Sequence, residues 1–205
     1  MLTIVDCGMG NLGSIENMLK KIGKPALVSS DPETIAKATK LILPGVGAFD
    51  HGMASLRERG LETVLRHKAS VEKVPLLGVC LGMQLLGRSS EEGSAPGLGF
   101  IDAACRRFGG AGWDGRLKIP HMGWNTVRPR RDDPLLAGFS DVPRFYFVHS
   151  YAMTCASPEA SIGETDYGGT FTSVVRVGNI CGVQFHPEKS HRFGMMLYRN
   201  FVDGF

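Results

Sequence analysis

The sequence predicts an α/β fold: a doubly wound, mostly parallel central sheet with an antiparallel β extension in its second half. In the first half, short runs of apolar residues alternate with helical patterns, as is typical of parallel strands buried on both faces. In the second half, extended runs follow one another and helix signals are scarce until Phe193. No repeat, low-complexity tract or linker interrupts the chain. We therefore expect residues 1–205 to form a single domain.

The first half reads as four strands separated by helices. The predicted strands are continuous apolar runs at residues 2–5, 25–28, 41–43 and 75–79. A helix is predicted over 12–22, with Ile15 and Leu19 on one face. Another begins at Asp31-Pro32, because Asp is a good N-cap and Pro fits the first helical position. One or two helices are predicted over 50–69, and one directly after Cys80.

The second half is predicted to be mainly β structure. Extended runs occur at residues 100–108, 124–127, 145–151, 173–177 and 180–185, and a helix is predicted over 193–201. We expect some of these strands to form the antiparallel extension and others to return to the main sheet.

Composition excludes several classes of function. Apolar residues make up 43% and charged residues 21% of the chain, as in ordinary globular proteins, and the net charge of +3 is too mild for a nucleic-acid binder. No apolar run reaches the ~18 residues of a membrane span, and the N-terminus lacks a basic region followed by a long apolar one. The five cysteines form no Cys-x-x-Cys pair, which argues against disulfides and zinc. We expect a cytoplasmic protein with no metal and no cofactor.

A candidate nucleophile lies where a predicted strand meets a predicted helix. Gly78-Val79-Cys80-Leu81-Gly82 has the form Gly-x-nucleophile-x-Gly, a sharp turn that lifts a side chain above a sheet. Glycines on both sides relieve the crowding of that turn. A cysteine at a helix N-terminus is favoured as thiolate, and the Leu81 amide can point toward a developing oxyanion. The other cysteines lack this context, so we interpret them as structural.

A candidate base follows the last predicted strand. His186 is followed by Pro187 and Glu188, and a residue before proline adopts an extended conformation. Residues two apart in an extended chain face the same way, so Glu188 can orient the His186 ring. Cys80, His186 and Glu188 thus form a candidate catalytic triad.

Together these segments resemble the class I (triad-type) glutamine amidotransferases. Gly-x-Cys-x-Gly and His-Pro-Glu mark the class, and further segments are similar to the family of glutaminase subunits of imidazole glycerol phosphate synthase. The matching segments span residues 6–11, 43–47, 78–86, 120–125, 147–151 and 182–190, in the family's order.

The resemblance implies a role for each matching residue. Cys80 would attack the side-chain amide of L-glutamine, His186 would transfer protons and Glu188 would orient His186. One amide of the glycine-rich strand 44–47, near Val46 or Gly47, would join that of Leu81 around the oxyanion once the strand is in its active conformation. The substrate would be held by a set of pocket residues: Gly45, Gln84, Glu92, Ser150 and Tyr151.

The resemblance also implies a partner. In the family, ammonia passes to a (β/α)₈ barrel cyclase that makes imidazole glycerol phosphate and AICAR in histidine biosynthesis, so a heterodimer is expected. A set of residues, called the partner face below, would lie at or near the docking surface: Asn11, Pro120, His121, Met122, Trp124, Tyr146 and Lys189. Simple core packing is the alternative for Met122, Trp124 and Tyr146.

Other functions stay open at this point. The same glutaminase chemistry could supply a sugar-amidating pathway of surface polysaccharide synthesis, since Cys7 and Gly13 depart from the usual family pattern. A stand-alone cysteine hydrolase of similar fold and a non-catalytic glutamine-binding regulatory subunit are further alternatives. A nucleotide-binding interpretation of Gly8, Gly10 and Gly13 rests on spacing alone.

Overall fold

The computed structural model describes residues 1–109 and 117–205. Its first half alternates strands and helices, as predicted. The strands are β1 (Leu2–Val5), β2 (Leu27–Ser29), β3 (Lys40–Gly45) and β4 (Leu76–Cys80). The helices are α1 (Leu12–Lys21), α2 (Pro32–Ala36), α3 (Phe49–Glu58), α4 (Leu61–Arg66) and α5 (Leu81–Leu85). A π-helical turn at His67–Val71 continues α4.

Local sequence signals account for the starts of α1 and α2. The Asp31 carboxylate accepts hydrogen bonds from the amides of Glu33 and Thr34, and Pro32 occupies the first turn of α2. The Asn11 side chain similarly caps α1. These caps satisfy amides that have no partner inside the helix.

The second half is mainly β structure. Its strands are β5 (Ser89–Ser90), β6 (Ala103–Arg107), β7 (His121–Thr126), β8 (Arg128–Pro129), β9 (Arg144–His149), β10 (Tyr151–Cys155), β11 (Ser161–Asp166), β12 (Thr170–Val177) and β13 (Ile180–Val183). Helix α6 (His191–Gly204) follows, and short 3₁₀ turns occur at Pro134–Leu136, Pro158–Ala160 and Pro187–Lys189.

The two-residue strands β5 and β8 lie outside the predicted runs, and two longer parts of this half also differ from the sequence prediction. The run at 145–151 is two strands, because β9 pairs with β7 in a separate two-stranded ribbon and the chain changes sheet at Ser150. Strand β11 was missed. Gly163 interrupts its pattern, but a side chain there would come within 3.0 Å of Val174, so the close approach of β12 requires glycine.

The main sheet has the order β2-β1-β3-β4-β13-β12-β10-β6-β5, with β11 paired to β12 and β8 paired to β11. The strands from β2 to β13 are parallel neighbours, whereas β12 is antiparallel to β13 and to β10. The predicted fold class is therefore confirmed. The pairing of β13 with β4 is decisive for the site, because Val183 lies opposite Val79 although 104 residues separate them in sequence.

Apolar side chains pack on both faces of the sheet. On one face, Leu41 and Leu43 belong to a hydrophobic core with residues of α2 to α5, whereas Ile42, between them, belongs to a second core with residues of α1 and α6. The β7–β9 ribbon packs on this second face through Phe145 and Phe147. This alternation follows from the two-residue period of a strand. Among the described residues, no helix is both long and apolar enough to cross a membrane.

Candidate active site

Cys80 lies at the sharp turn between β4 and α5. Its backbone has φ 55° and ψ −111°, a conformation that a residue with a side chain rarely adopts. The surrounding glycines make the turn possible. A side chain on Gly78 would come within 2.7 Å of the Gly82 carbonyl oxygen, and one on Gly82 within 1.9 Å of the Leu43 carbonyl oxygen. The strained nucleophile position is therefore built by close backbone packing.

Strand β3 lies directly beside this turn. Gly45 is opposite Cys80 in the parallel pairing, and a side chain on Gly45 would come within 3.0 Å of the Gly82 amide nitrogen. The chain then leaves the sheet, so that Val46 is 45% exposed and Gly47 has φ 103°. The residues expected around an oxyanion thus reach the same place from two neighbouring strands.

His186 and Glu188 come to Cys80 through β13. The His186 Nδ1 and Glu188 Oε1 atoms are 2.7 Å apart, and both side chains are 2% exposed. The His186 amide donates to the Tyr146 carbonyl at 2.8 Å. The Ser190 hydroxyl donates to the His186 carbonyl at 2.6 Å. These backbone contacts hold the ring beside the nucleophile.

The charge state of His186 suits a thiol partner. Burial disfavours its protonation, but the neighbouring Cys80 and Glu188 side chains outweigh burial and raise the pKa of His186 to about 10. Its Nε2 atom and the Glu188 Oε2 atom are buried without a hydrogen-bond partner among the described residues. Because Nδ1 is committed to Glu188, Nε2 is the nitrogen free to exchange a proton at Cys80.

A cleft of about 360 Å³ opens over Cys80. The residues lining it come from both halves of the chain and include most of the predicted site: Val46, Gly47, Cys80, Leu81, Gln84, Glu92, Pro120, Val148, His149, Ser150, Tyr151 and His186. Gly45 does not line the cleft and packs behind it against Leu81. Glu188 also lies behind the cleft, where it contacts His186.

Two of the pocket side chains are already held in place by the protein. The Gln84 amide Nε2 donates to the Tyr151 carbonyl at 3.1 Å. The Glu92 carboxylate accepts from the Phe49 amide at 2.9 Å, at the N-terminus of α3. A negative charge is favoured there by the helix dipole.

The sequence reasoning missed three residues of this region: Val148 and His149, which line the cleft, and Gln184, which contacts Cys80. The Gln184 amide Nε2 lies 3.9 Å from the Cys80 Sγ. Gln184 lies two residues before His186 in an extended run, so the alternation of an extended chain could have predicted that the two face the same way. No local signal marks His149 as part of the cleft, because its position depends on the ribbon.

The partner-face residues differ in their exposure to solvent. Met122 and Trp124 are 62% and 44% exposed, and Asn11, Pro120 and Lys189 are exposed as well. Tyr146 is half-buried, with the Lys189 ammonium 5.6 Å from its ring centre. His121 differs, because it is 3% exposed and bonded to His149. Its side chain therefore belongs to the interior of this chain.

Comparisons with known proteins agree with this geometry. The family model of class-I glutamine amidotransferases matches residues 3–204. The imidazole glycerol phosphate synthase subunit HisH 2 of Methanococcus maripaludis is 54% identical over 202 residues, covering 98% of each chain. The protein of the same name from Pseudomonas aeruginosa is 50% identical, covering 99% of each chain.

Solved structures show the same fold at low sequence identity. The PurLQS structure from Thermotoga maritima matches 99% of this chain and 97% of its own, with a TM-score of 0.71 and 15% identity. The crystal structure of a glutamine amidotransferase matches 98% of this chain and 97% of its own, with a TM-score of 0.69 and 22% identity. With the family model matching nearly its whole length, this chain belongs to the class-I glutamine amidotransferases.

Proposed function

We propose that this chain is the glutaminase subunit of an imidazole glycerol phosphate synthase. It hydrolyses L-glutamine to glutamate and ammonia, and it delivers the ammonia to a (β/α)₈ cyclase in histidine biosynthesis. The observation that carries the chemistry is the buried His186–Glu188 pair, 2.7 Å apart, beside the Cys80 thiol in an open cleft. The full-length relatives named as subunits of this synthase support the pathway.

The reaction begins at Cys80. Its thiolate attacks the side-chain carbonyl carbon of glutamine, and the tetrahedral intermediate collapses as the C–N bond breaks. The leaving nitrogen takes a proton from His186 Nε2 and departs as ammonia, leaving a thioester on Cys80. His186 then accepts a proton from the water that hydrolyses the thioester. Glu188 keeps the imidazolium in place during both steps.

The oxyanion would be stabilised by backbone amides at the edge of the cleft. Leu81 begins α5, so its amide lies at the positive end of a helix. Val46 and Gly47 face the same cleft from the end of β3. Amides fixed in a water-poor site can lower the barrier by about 3–4 kcal/mol per donor.

Glutamine would be held by its α-amino and α-carboxyl groups. Gln84, Glu92, Ser150 and Tyr151 line the cleft around Cys80 and supply both donors and acceptors. Gly45 supports this pocket from behind, since it packs against Leu81. No cofactor is needed for this chemistry.

Ammonia must reach the cyclase without meeting water, where it becomes the non-nucleophilic ammonium ion. The exposed part of the partner face adjoins the cleft, because Pro120 lines the cleft and Tyr146 pairs with His186. Exposed Met122 and Trp124 are the apolar anchors that such an interface needs. We therefore infer that the cyclase covers this mouth, and that glutaminase action is weak until it does.

The alternatives carry less support. The names of the full-length relatives favour histidine biosynthesis over a sugar-amidating pathway. A non-catalytic glutamine sensor has no need of the buried His186–Glu188 pair beside a strained cysteine. We also infer a single domain, because the main sheet runs from β2 to β5 through both halves of the chain.

The test is an ammonia-transfer assay with the partner. The chain is co-expressed with candidate cyclases from the same organism, and the complex is given the cyclase substrate with glutamine or with ammonium salt. We expect the wild-type complex to release glutamate and form imidazole glycerol phosphate in equal amounts. In Cys80→Ala, product formation should be lost with glutamine but retained with ammonium. Transfer of nitrogen to a sugar, or absence of glutamine hydrolysis in the complex, would refute the proposal.

A further inference from the structure

A buried amide side chain contacts the nucleophile from outside the cleft. Gln184 directly follows β13 and has no exposed surface. Its Nε2 atom lies 3.9 Å from the Cys80 Sγ, and its Oε1 atom accepts from Gln84 Nε2 at 3.0 Å. Gln184 is not among the residues that line the cleft. It therefore touches the nucleophile without being placed to touch the substrate.

The orientation of this amide is fixed by a backbone carbonyl. The Tyr151 carbonyl can only accept, so the Gln84 group that faces it at 3.1 Å must be the NH₂. The second hydrogen of that NH₂ then requires an acceptor, and the Gln184 group 3.0 Å away must be its oxygen. The Gln184 NH₂ is consequently directed at the Cys80 sulfur. The amide cannot be reversed without breaking two buried hydrogen bonds.

The same carbonyl is held from its other side by a pair of histidines. His149 Nδ1 donates to the Tyr151 carbonyl at 2.8 Å, which leaves His149 Nε2 as an acceptor for His121 Nδ1 at 3.0 Å. His121 Nε2 in turn accepts from Asn125 Nδ2 at 3.3 Å. The Asn125 amide is oriented by backbone groups, since Nδ2 donates to the Asp166 carbonyl and Oδ1 accepts from the Thr126 amide.

We propose that Gln184 is a positioning residue for the nucleophile, resting on the proposed glutaminase function. Its N–H group stabilises the Cys80 thiolate and limits the rotation of the thiol, while the Tyr151 carbonyl and Gln84 hold the amide in the donating orientation. A hydrogen bond to a charged acceptor is stronger than one between neutral groups. Because Gln184 contacts the thiolate and reaches bound glutamine only through Gln84, its removal lowers kcat more than it raises KM.

Two substitutions separate this role from simple packing. Gln184→Met keeps the volume but removes the N–H donor. Gln184→Glu keeps the shape and the acceptor for Gln84, but replaces the donor with a negative charge beside the sulfur. If Gln184 positions a thiolate, kcat and Cys80 alkylation fall further in Gln184→Glu than in Gln184→Met. If Gln184 only fills space and accepts the hydrogen bond from Gln84, kcat falls further in Gln184→Met than in Gln184→Glu.

The experiment measures the pH dependence of Cys80 alkylation by iodoacetamide in the full chain, and kcat and KM in the complex with the cyclase. For Gln184→Met we expect alkylation at pH 7 and kcat to fall about tenfold, with KM within about twofold of wild type. The pH midpoint of alkylation should move upward, and move further in Gln184→Glu. Thermal unfolding of each variant verifies that it folds.

Asn179→Asp is the matched control. Asn179, like Gln184, has a side-chain amide that forms hydrogen bonds inside the protein: its Nδ2 donates to the carbonyls of Ala69 and Val74. It lies at the opposite end of β13. Its loss should lower stability without moving the alkylation profile. Folded Gln184 variants with a wild-type profile and kcat would overturn the proposal, as would greater damage in Met than in Glu. If wild type fails to hydrolyse glutamine, the proposed function fails, yet the alkylation profile still tests Gln184.

Discussion

The parallel strands and the β7–β9 ribbon contribute to one cleft in different ways. Strands β1, β4 and β13 are buried along their whole length, and β4 ends at Cys80. The ribbon alternates: His121 is buried, whereas Met122 and Trp124 are exposed. The parallel strands thus fix the reacting groups through backbone register. The ribbon lines the cleft at one end, through Val148 and His149, and exposes the apolar side chains of Met122 and Trp124 on its outer face.

This contrast indicates where substitutions should be tolerated. Groups held by the parallel strands have almost no free space, as the 1.9 Å approach at Gly82 illustrates. On the outer face of the ribbon, Met122 is 62% exposed, and Trp124 is 44% exposed although its ring stacks on His191. Changes in the first region should therefore abolish chemistry or folding, and changes on the ribbon surface should affect association.

The largest effect should come from removing the nucleophile. Cys80→Ala should lower glutamine hydrolysis by about 10⁴-fold or more, because no other group can form the thioester. Glutamate release in the complex measures this. Cys155→Ala, a half-buried cysteine that does not line the cleft, is the control and should keep activity within about twofold. Substantial residual hydrolysis in Cys80→Ala would show that the nucleophile is not the cysteine at the end of β4.

The next effect concerns the backbone packing around the turn. Gly82→Ala should destabilise the protein by about 3–5 kcal/mol, since the added methyl group would overlap the Leu43 carbonyl. Gly13→Ala is the matched control, because a side chain there meets no atom within 4 Å and lies in α1. It should stabilise by about 0.5–1 kcal/mol. Urea unfolding measures the stability of both variants. Equal stabilities would contradict the prediction that the packing around Gly82 excludes a side chain.

A smaller loss of stability is expected at low pH. Burial lowers the pKa of His149 to about 3 and that of His121 to about 4, from an ordinary 6.5. At these two histidines the unfolded chain binds more protons than the folded one, so the stability that they contribute is fully present above pH 6.5 and is lost as pH falls toward 4. Each pH unit in this window costs up to about 1.4 kcal/mol per histidine.

Replacing one histidine tests this expectation. The stability difference between pH 7 and pH 5 should shrink by about 2 kcal/mol in His149→Asn. His51→Asn, at an exposed position on α3, should leave the difference unchanged. If the wild-type and His149→Asn curves stay parallel, the ribbon histidines are not neutral in the folded protein.

The smallest change in the stability of the isolated chain should follow substitution on the ribbon surface. Trp124→Ala should alter unfolding by less than about 1 kcal/mol but weaken binding of the cyclase at least about tenfold, because exposed aromatic residues anchor interfaces. Val71→Ala, 67% exposed in the π-helical turn, should change neither. Calorimetric titration measures the binding. Wild-type affinity in Trp124→Ala would place the partner elsewhere.

Much of the fold and the central chemistry could be predicted from local sequence signals. The buried strands of the first half, the Asp31 cap and the turn at Cys80 follow from apolar runs, a capping residue and glycines at fixed spacing. His186 and Glu188 lie two residues apart, so their pairing could be inferred from an extended chain.

Which distant groups meet depends on the tertiary structure. The insertion of β13 beside β4, the change of sheet at Ser150 and the approach of Gln184 to Cys80 join residues that are far apart in sequence. Strand order and register depend on the packing of the whole core, because each strand could pair acceptably with several others and only the sum of buried contacts selects one arrangement.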